Sequence, residues 1–261
     1  MRYILSRAGS AILEQYAWSK TLLAFDFDGT LAPIVADPES AILREATGAL
    51  LQKAAKLYPC VIISGRAQKD VVRSLRNIRL CNVIGNHGAE PNGKDSQQPC
   101  RQESRFVAVI RKWRAILEER LIRFKGIRIE DKTYSITVHY RYSREKKKAR
   151  AEILRAVSDF NNVRVIGGKQ VVNLLPDGAP HKGIALEQER SRLLCDTAIY
   201  VGDDETDEDV FAMDQPGQLL SIRVGASRKS FAQYFIRSQI EIDELLSRLV
   251  NFRGDYLRTF E

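Results

Sequence analysis

The stretch T21-L-L-A-F-D-F-D-G-T-L-A-P-I34 decides the fold of this chain. It begins with a short apolar run, and two carboxylates, Asp26 and Asp28, stand at the end of that run. Burying a charge is expensive unless the charge has a partner. The two aspartates therefore predict a buried strand that ends in a site, with a metal ion, a proton or a basic side chain close by.

Two further apolar runs end in the same way. The run C60-V-I-I63 precedes S64-G-R66, and the run A198-I-Y-V201 precedes G202-D-D204. Short apolar runs that alternate with helical patterns predict strands of a parallel sheet buried on both faces. Ligands gather beyond the carboxyl ends of such strands, so we expect the three polar clusters to face one crevice.

The spacing of the two aspartates favours a metal site. Residues i and i+2 of an extended strand point to the same side, so Asp26 and Asp28 are predicted to address one point in space. Gly29 lets the chain turn away without covering that point. An EF-hand calcium loop is excluded, because Thr30 and Leu31 stand where that loop needs Asp or Asn and then Gly. Oxygen ligands outside such a loop suit magnesium, which keeps waters and substrate phosphate as its other ligands.

The middle of the chain follows a different pattern. The predicted elements there are a helix over 104–126, the alternating strand Y134-S-I-T-V-H-Y140, a helix over 148–160, and strands at 163–166 and 171–175. The parallel pattern resumes at H181-K-G183. These elements predict an inserted α+β unit within an α/β protein.

The predicted domain division follows from this interruption. Residues 1–103 and 179–261 are expected to form a discontinuous core with a parallel sheet, and residues 104–178 an inserted α+β cap. The stretch 91–99, P-N-G-K-D-S-Q-Q-P, is predicted to be an exposed linker.

Composition narrows the classes of protein. The chain has 261 residues, of which 44% are hydrophobic and 28% are charged, as in ordinary globular proteins. No apolar run approaches the ~20 residues that a membrane span needs. The segment 4–17 carries Arg7 and Glu14, so it predicts an amphipathic helix rather than a signal peptide, and we expect a cytoplasmic protein.

The net charge and the cysteines do not narrow the classes of protein much further. The net charge is +8, and its densest basic run, R141-Y-S-R-E-K-K-K-A-R150, is predicted to be a solvated face rather than a nucleic-acid site. The cysteines have no zinc-binding or disulfide spacing and are predicted to be buried or incidental thiols: Cys60, Cys81, Cys100 and Cys195.

Together, the motifs of this chain resemble those of a known superfamily of enzymes. D26-F-D-G-T-L31 resembles the first motif of the haloacid dehalogenase superfamily of phosphohydrolases, and Ser64, Lys182 and G202-D-D-E-T-D207 resemble its other motifs in the same order. The closer resemblance is to trehalose-6-phosphate phosphatases, through S64-G-R66, G85-N-H-G-A-E90, E130-D-K132, H139-Y-R141, G168-K169 and G202-D-D-E-T-D-E208. The resemblance runs from Leu22 to about Phe211 and implies a Rossmann-like core with an inserted cap that selects the substrate.

The resemblance also implies the chemistry. Asp26 would attack phosphorus and form an aspartyl-phosphate, and Asp28 would protonate the leaving sugar oxygen and later activate water. Lys182 would neutralise charge, since phosphoryl transfer depends mostly on positioning and electrostatics. Phosphate oxygens would be held by Ser64 and by backbone N–H groups near Gly29 and Gly65. Magnesium would be held by Asp26, Asp28, Asp203, Asp204 and Asp207. Further substrate contacts would come from Arg66, His87, Glu90, Glu130, Lys132, Arg141, Lys169 and Asn173.

One departure concerns the sugar. Many family members have a glutamate where this chain has Asn173, and a basic residue where it has Leu175. Asparagine exchanges hydrogen bonds with hydroxyls but cannot form an ion pair with Lys169. The departure leaves the phosphatase chemistry intact and the identity of the sugar open.

The leading hypothesis is a magnesium-dependent phosphatase that converts trehalose 6-phosphate to trehalose and phosphate, in trehalose biosynthesis. The alternatives are a phosphatase of sucrose phosphate or of a glycosylated phosphoglycerate, a mutase of related fold, a non-catalytic sugar-phosphate-binding module, and a nucleic-acid binder. The expected partner is a small sugar phosphate, without nucleic acid or membrane. A monomer is compatible with the sequence.

Overall fold

The computed structural model describes residues 1–35, 41–75, 78–80, 82–88, 101–132, 134–168, 170–179, 181–213 and 215–258. The chain divides into a first unit, residues 1–88 with 181–261, and a second unit, residues 89–180. The two predicted crossings lie near residues 103 and 178. The helix that begins at Arg101 belongs to the second unit.

The elements have the following bounds. The strands are β1 (Arg2–Tyr3), β2 (Thr21–Phe25), β3 (Cys60–Ile63), β4 (Asn82–Ile84), β5 (Arg128–Asp131), β6 (Ile136–His139), β7 (Val163–Gly168), β8 (Val171–Pro176), β9 (Thr197–Gly202), β10 (Leu219–Val224) and β11 (Tyr234–Ile236). The α-helices are α1 (Arg7–Trp18), α2 (Glu45–Leu57), α3 (Gln68–Leu75), α4 (Arg101–Leu121), α5 (Lys146–Val157), α6 (Lys182–Arg192), α7 (Glu208–Phe211) and α8 (Ile242–Arg258).

The first unit is built on a parallel sheet that confirms the three predicted strands. Within the described residues seven strands form this sheet, in the order β1-β11-β10-β9-β2-β3-β4. Strand β2 pairs in parallel with β3 on one side and with β9 on the other. The sheet grows from β2 to β4 in one direction and from β9 to β11 in the other, so the strand order reverses between β2 and β9. Ligands of open α/β sheets bind at such a reversal.

Strand β2 is buried on both faces, as its continuous apolar run predicts. Leu23 and Phe25 pack into a cluster with side chains of α1, α2 and α8, whereas Leu22 and Ala24 pack into another with side chains of α6 and α7. Each such buried leucine or phenylalanine contributes about 1.5–3 kcal/mol, which fixes the strand. The alternation carries the next residue, Asp26, toward α6 and α7.

The chain turns directly after strand β2. Strand β2 ends at Phe25, and the backbone N–H of Ala32 donates to the carbonyl of Phe27 at 2.8 Å. Gly29, with φ +84°, donates its N–H to the carbonyl of Ala32 at 2.7 Å. Asp28 therefore lies in a turn rather than in an extended strand. The two aspartates therefore do not belong to one extended strand, and strand alternation cannot be the reason for a shared side.

The second unit has an antiparallel sheet in the order β5-β6-β8-β7. Helices α4 and α5 pack on one face of this sheet, where Trp113 stacks on Phe160 with ring centroids 5.3 Å apart. Helix α4 ends at Leu121, before the predicted stop at Gly126. Gly126 has φ +84° and lies in a turn packed so closely against the backbone of Tyr142 that a Cβ atom would come within 2.4 Å of it.

The remaining sequence predictions concern smaller features. The predicted amphipathic helix near the N-terminus is confirmed as α1. Cys60 and Cys195 are buried thiols, as predicted, whereas Cys81, Cys100 and the predicted linker at 91–99 lie outside the described residues. Among the helices that the structure describes, none combines the length and the apolar character that crossing a membrane requires.

Candidate active site

A buried lysine lies at the carboxyl end of the central strand. Lys182 is the first residue of α6 and is 1% exposed; its Nζ donates to Oδ1 of Asp26 at 2.8 Å and to Oδ1 of Asp207 at 2.7 Å. His181 caps this helix, because its ring Nδ1 accepts the backbone N–H of Gly183. The cap fixes the start of the helix and with it the direction from which the lysine enters the site.

Asp207 accepts four hydrogen bonds. Its Oδ1 accepts from Lys182 and, at 2.6 Å, from the hydroxyl of Tyr200. Its Oδ2 accepts the backbone N–H groups of Asp203 at 2.8 Å and of Asp204 at 3.0 Å. A carboxylate has about four acceptor positions, so this one is fully used inside the protein. Asp207 thereby ties the loop after β9 to the lysine.

Asp203 has a buried carboxylate oxygen to which none of the described residues donates a hydrogen bond. Its Oδ1 is buried and has no hydrogen-bond partner in the part of the chain that the structure describes. One carboxylate oxygen from each of Asp26, Asp203 and Asp207 lies within 4.8 Å of the other two. A Cβ atom at Gly29 would come within 2.1 Å of Oδ2 of Asp203, so only glycine fits beside this carboxylate. The arrangement suits a small cation with oxygen ligands.

The charges of the buried carboxylates and of Lys182 also favour a bound cation. Burial raises the pKa of Asp26 well above its ordinary value and raises the pKa of Asp203 to about 8, although Lys182 opposes both shifts. Burial also raises the pKa of Asp207. Burial alone would lower the pKa of Lys182, but Asp207 and Asp26 outweigh it and hold that pKa well above the ordinary value, so the lysine remains an ammonium ion. One ammonium ion faces an excess of carboxylates, which a divalent cation would balance.

Asp204 has a different environment from its neighbours. Its Oδ1 accepts the backbone N–H of Thr206 at 2.8 Å and the hydroxyl of the same residue at 2.6 Å. Burial would raise its pKa, but the charge of Lys182 and these hydrogen bonds outweigh that effect and lower it. Its carboxylate is not among the three clustered oxygens.

Asp28 pairs with an arginine instead of joining the clustered carboxylates. Nε of Arg66 donates to Oδ2 of Asp28 and Nη2 donates to Oδ1, both at 2.5 Å. The guanidinium also lies 5.3 Å from the ring centroid of Phe27. Bidentate pairs of this kind are geometrically specific. The turn after β2 thus separates the surroundings of the two aspartates.

The ends of β3 and β4 meet beside this pair. Ser64 is 1% exposed, its Oγ accepts the backbone N–H of Arg66 at 3.2 Å, and its carbonyl accepts the N–H of His87. A Cβ atom at Gly65 would come within 2.4 Å of the ring of His87, which explains the glycine. His87 itself has φ 58°, a conformation that costs energy and often accompanies function. The predicted Ser64, Gly65, Arg66 and His87 therefore lie together.

The second unit carries part of the predicted sugar contacts on one sheet face. Glu130, Thr137 and Asn173 are register partners across β5, β6 and β8. The hydroxyl of Thr137 donates to Oδ1 of Asn173 at 2.8 Å, and Nε2 of His139 lies 2.7 Å from Oε2 of Glu130. The hydrogen bond to His139 lowers the pKa of Glu130. The residues adjacent in sequence pack against α4 and α5, so the polar row lies on the opposite face.

The other predicted contacts are less informative. Lys132 and Arg141 lie in the second unit and are partly exposed. Glu90 and Lys169 lie outside the described residues.

Sequence reasoning missed Tyr200, Thr206 and Thr137. Tyr200 stands in the middle of a strand that is otherwise aliphatic, and a buried tyrosine usually requires a partner for its hydroxyl. That mismatch was the available signal. The hydrogen bonds of the two threonines depend on loop geometry and strand register, which leave no comparable mark in the sequence.

Comparisons with known proteins agree on one family. A family model described as trehalose-phosphatase matches residues 24–239. A probable trehalose-phosphate phosphatase 4 of Oryza sativa subsp. japonica is 32% identical over 246 residues, which cover 90% of this chain and 67% of that protein. The crystal structure of a trehalose-6-phosphate phosphatase related protein is 26% identical, with a TM-score of 0.70 and coverage of 90% and 99%. The C-terminal domain of a C. albicans trehalose-6-phosphate phosphatase is 24% identical, with a TM-score of 0.77 and coverage of 96% and 99%, a likeness of fold.

Proposed function

The chain belongs to the trehalose-phosphatase family, and from that premise we propose that it is a magnesium-dependent hydrolase of trehalose 6-phosphate, with trehalose and phosphate as products. It is a phosphatase with the fold of the haloacid dehalogenase superfamily. The observation that carries the mechanism is the buried hydrogen bond between Lys182 and Asp26 at the end of the central strand.

The first proposed step forms an aspartyl-phosphate. Lys182 occupies Oδ1 of Asp26, which leaves Oδ2 to attack phosphorus in line with the ester oxygen. The bond between phosphorus and the sugar oxygen breaks, and Asp28 gives that oxygen a proton as it leaves. The free sugar is the first product.

The second proposed step restores the enzyme. Asp28, now a carboxylate, takes a proton from water while the water oxygen attacks phosphorus. The bond between phosphorus and Asp26 breaks, phosphate departs, and the carboxylate of Asp26 and the proton on Asp28 are both regenerated. Lys182 remains an ammonium ion throughout and orients the nucleophile in both steps.

Asp28 must change partners for this cycle. Arg66 holds both of its oxygens, so at least one hydrogen bond must open before Asp28 can carry and donate a proton. A substrate phosphate is a strong competing acceptor for a guanidinium. We therefore propose that Arg66 turns from Asp28 to the phosphate when substrate binds, and that Ser64 and the N–H groups near Gly29 and Gly65 hold further phosphate oxygens.

Magnesium, when bound, supplies positive charge beside the phosphate oxygens and the nucleophile. We propose Asp26 and Asp203 as the carboxylates that hold it. The buried and unpartnered Oδ1 of Asp203 supports this choice. Asp204 and Asp207 already accept hydrogen bonds, and Asp28 pairs with Arg66, so ligation by these three residues stays a prediction.

The proposed function predicts the outcome of a substrate panel. Phosphate release is measured from trehalose 6-phosphate, sucrose 6-phosphate, glucose 6-phosphate and a glycosylated phosphoglycerate, with magnesium and with EDTA. We expect release to prefer the trehalose ester and to cease in EDTA. A preference for another ester would retain the phosphatase and replace the substrate, and equal release in EDTA would contradict the metal requirement.

Asn173 tests the predicted role of the second unit in choosing the sugar. Thr137 occupies its Oδ1, and the Nδ2 group has no side-chain partner among the described residues, so a donor is left for a substrate oxygen. Asn173→Asp keeps the shape but replaces this donor with an acceptor. We expect KM for the preferred ester to rise about tenfold, with a smaller change in kcat, because one binding hydrogen bond is lost.

Asn161→Asp is the matched control, because Asn161 is exposed in the same unit. It should leave KM for every ester unchanged. If Asn173→Asp leaves both KM and the order of preference among the esters unchanged, Asn173 does not contact the sugar.

A further inference from the structure

Tyr200 has a hydroxyl that packing alone does not explain. The side chain is 0% exposed and belongs to the apolar cluster between the sheet and helices α6 and α7. Its ring packs edge-on against Phe211, with centroids 6.0 Å apart. A phenylalanine would satisfy all of these apolar contacts. Among the described residues the hydroxyl makes one polar contact, the 2.6 Å hydrogen bond to Oδ1 of Asp207, and a phenylalanine could not supply it.

That contact falls on the oxygen that also accepts Lys182. The ammonium group of Lys182 donates to Oδ1 of Asp207 at 2.7 Å and to Oδ1 of the nucleophile Asp26 at 2.8 Å. A donor that shares Oδ1 of Asp207 draws electron density from it and weakens it as an acceptor for the lysine. The hydroxyl of Tyr200 thus influences how strongly Lys182 is held on the side away from the nucleophile.

The lysine, rather than Asp207, is the group free to respond. Two backbone N–H groups fix Oδ2 of Asp207, and its carboxylate packs so closely on Gly202 that a Cβ atom there would come within 2.2 Å of the carboxylate carbon. Lys182 reaches the site on four flexible methylene groups. A change in the hydrogen bonds that Oδ1 of Asp207 accepts must therefore move the ammonium group of Lys182.

We infer that Tyr200 is a positioning residue, whose hydroxyl keeps the ammonium group of Lys182 shared with the nucleophile Asp26 instead of drawn onto Asp207. The inference rests on the proposed role of Asp26. Without the hydroxyl, Oδ1 of Asp207 has the lysine as its single donor. The ammonium group then moves toward Asp207, and the nucleophile loses the contact that orients it.

The test compares two phenylalanine variants. Tyr200→Phe removes the hydroxyl beside Asp207. Tyr58→Phe removes a hydroxyl that is also buried but donates to the backbone carbonyl of Leu249 at 2.8 Å, in the cluster on the other face of the sheet. Both variants lose one buried hydrogen bond, and we expect both to lower the thermal unfolding midpoint by a few degrees. A purely structural role would give the two variants the same kinetics.

Two readouts distinguish positioning from stability. We expect Tyr200→Phe to lower kcat for the preferred ester about tenfold with KM unchanged, because orientation of the nucleophile acts on the chemical step. We also expect the ¹⁵N resonance of the Lys182 ammonium group to shift in this variant, as measured without substrate and assigned by its absence in Lys182→Met. Tyr58→Phe should leave kcat and this resonance unchanged.

Both changes are required. If kcat falls while the resonance stays in place, or the resonance shifts while kcat is retained, Tyr200 does not act through Lys182 and the inference is overturned. Equal losses of kcat in the two phenylalanine variants would also overturn it. If the native chain hydrolyses no ester, the proposed function fails, and an unshifted resonance in Tyr200→Phe would then refute the inference separately.

Discussion

Asp26→Asn is expected to abolish phosphate release, with kcat lower by about 10⁴-fold or more, because the amide cannot replace the carboxylate as the nucleophile. The change is nearly isosteric, and the amide oxygen can still accept a hydrogen bond from Lys182. Burial raises the pKa of Asp26, so the site carries a desolvation cost for this charge that the neutral amide avoids. The variant should therefore fold. Phosphate release and the thermal unfolding midpoint are measured on the same preparation.

Asp243→Asn is the control for this prediction. Asp243 is also partly buried and paired, with Arg44 at 2.9 Å and with the hydroxyl of Thr47 at 2.6 Å, but it lies on α8 outside the site. It should lower the unfolding midpoint and leave kcat unchanged. Retention of a tenth or more of native kcat in folded Asp26→Asn would contradict the nucleophile assignment.

The position of Asp26 was predictable because several levels of the sequence agree on it. The apolar run before it has the length of a strand, the two other runs have the same form, and parallel strands must align their carboxyl ends. Those rules suffice to bring Asp26, Ser64 and Asp203 to one edge of the sheet, whereas Lys182, at the start of a helix, was predicted only from the resemblance. Their chemical roles stay predictions, which the variants here are designed to test.

The environment of Asp28 was not predictable in the same way. The alternation argument assumes that the strand continues to this residue, but β2 ends at Phe25 and Gly29 turns the chain. The partner, Arg66, comes from the loop after β3, and only the folded geometry brings the two together. The sequence motif shows that Asp28 and Arg66 are present. Their contact depends on the direction in which the chain leaves strand β2, which the motif does not show.

The polar face of the second unit shows a similar limit. Alternation in Y134-S-I-T-V-H-Y140 predicts that Thr137 and His139 share a face. The pairing of Thr137 with Asn173 depends on the register of β6 against β8, which is set by turns far apart in the sequence. Tyr200 had a signal, an aromatic hydroxyl in an aliphatic strand, but only the structure identifies Asp207 as its acceptor.

Lys182→Met is expected to affect both folding and catalysis. Removing one partner of a buried ionic cluster leaves uncompensated charge, so the free energy of unfolding should fall by about 3–5 kcal/mol. Phosphate release should fall by about 10² to 10³-fold, the typical cost of losing one electrostatic contact to the reacting groups. Lys20→Met, at an exposed lysine before β2, should change neither quantity appreciably.

The loss of stability should depend on pH. Burial already raises the pKa of both Asp26 and Asp207, and the variant lacks the lysine charge that opposes the shift. A carboxyl whose folded pKa lies above its unfolded value of about 4 keeps its full contribution to stability below that value and loses it as the pH rises. The deficit of Lys182→Met against the native chain should therefore be larger at pH 8 than at pH 5, as measured by denaturant unfolding without added metal.

A double variant separates the two effects of the lysine. Lys182→Met with Asp207→Asn removes both partners of one buried pair, and the cost of the uncompensated charge falls with it. We expect this variant to recover part of the stability lost in Lys182→Met, while phosphate release stays as low, because no ammonium group remains beside Asp26. Recovery of activity together with stability would mean that Lys182 acts only through the fold. Recovery of stability alone would show that the lost stability is not what lowers phosphate release in Lys182→Met.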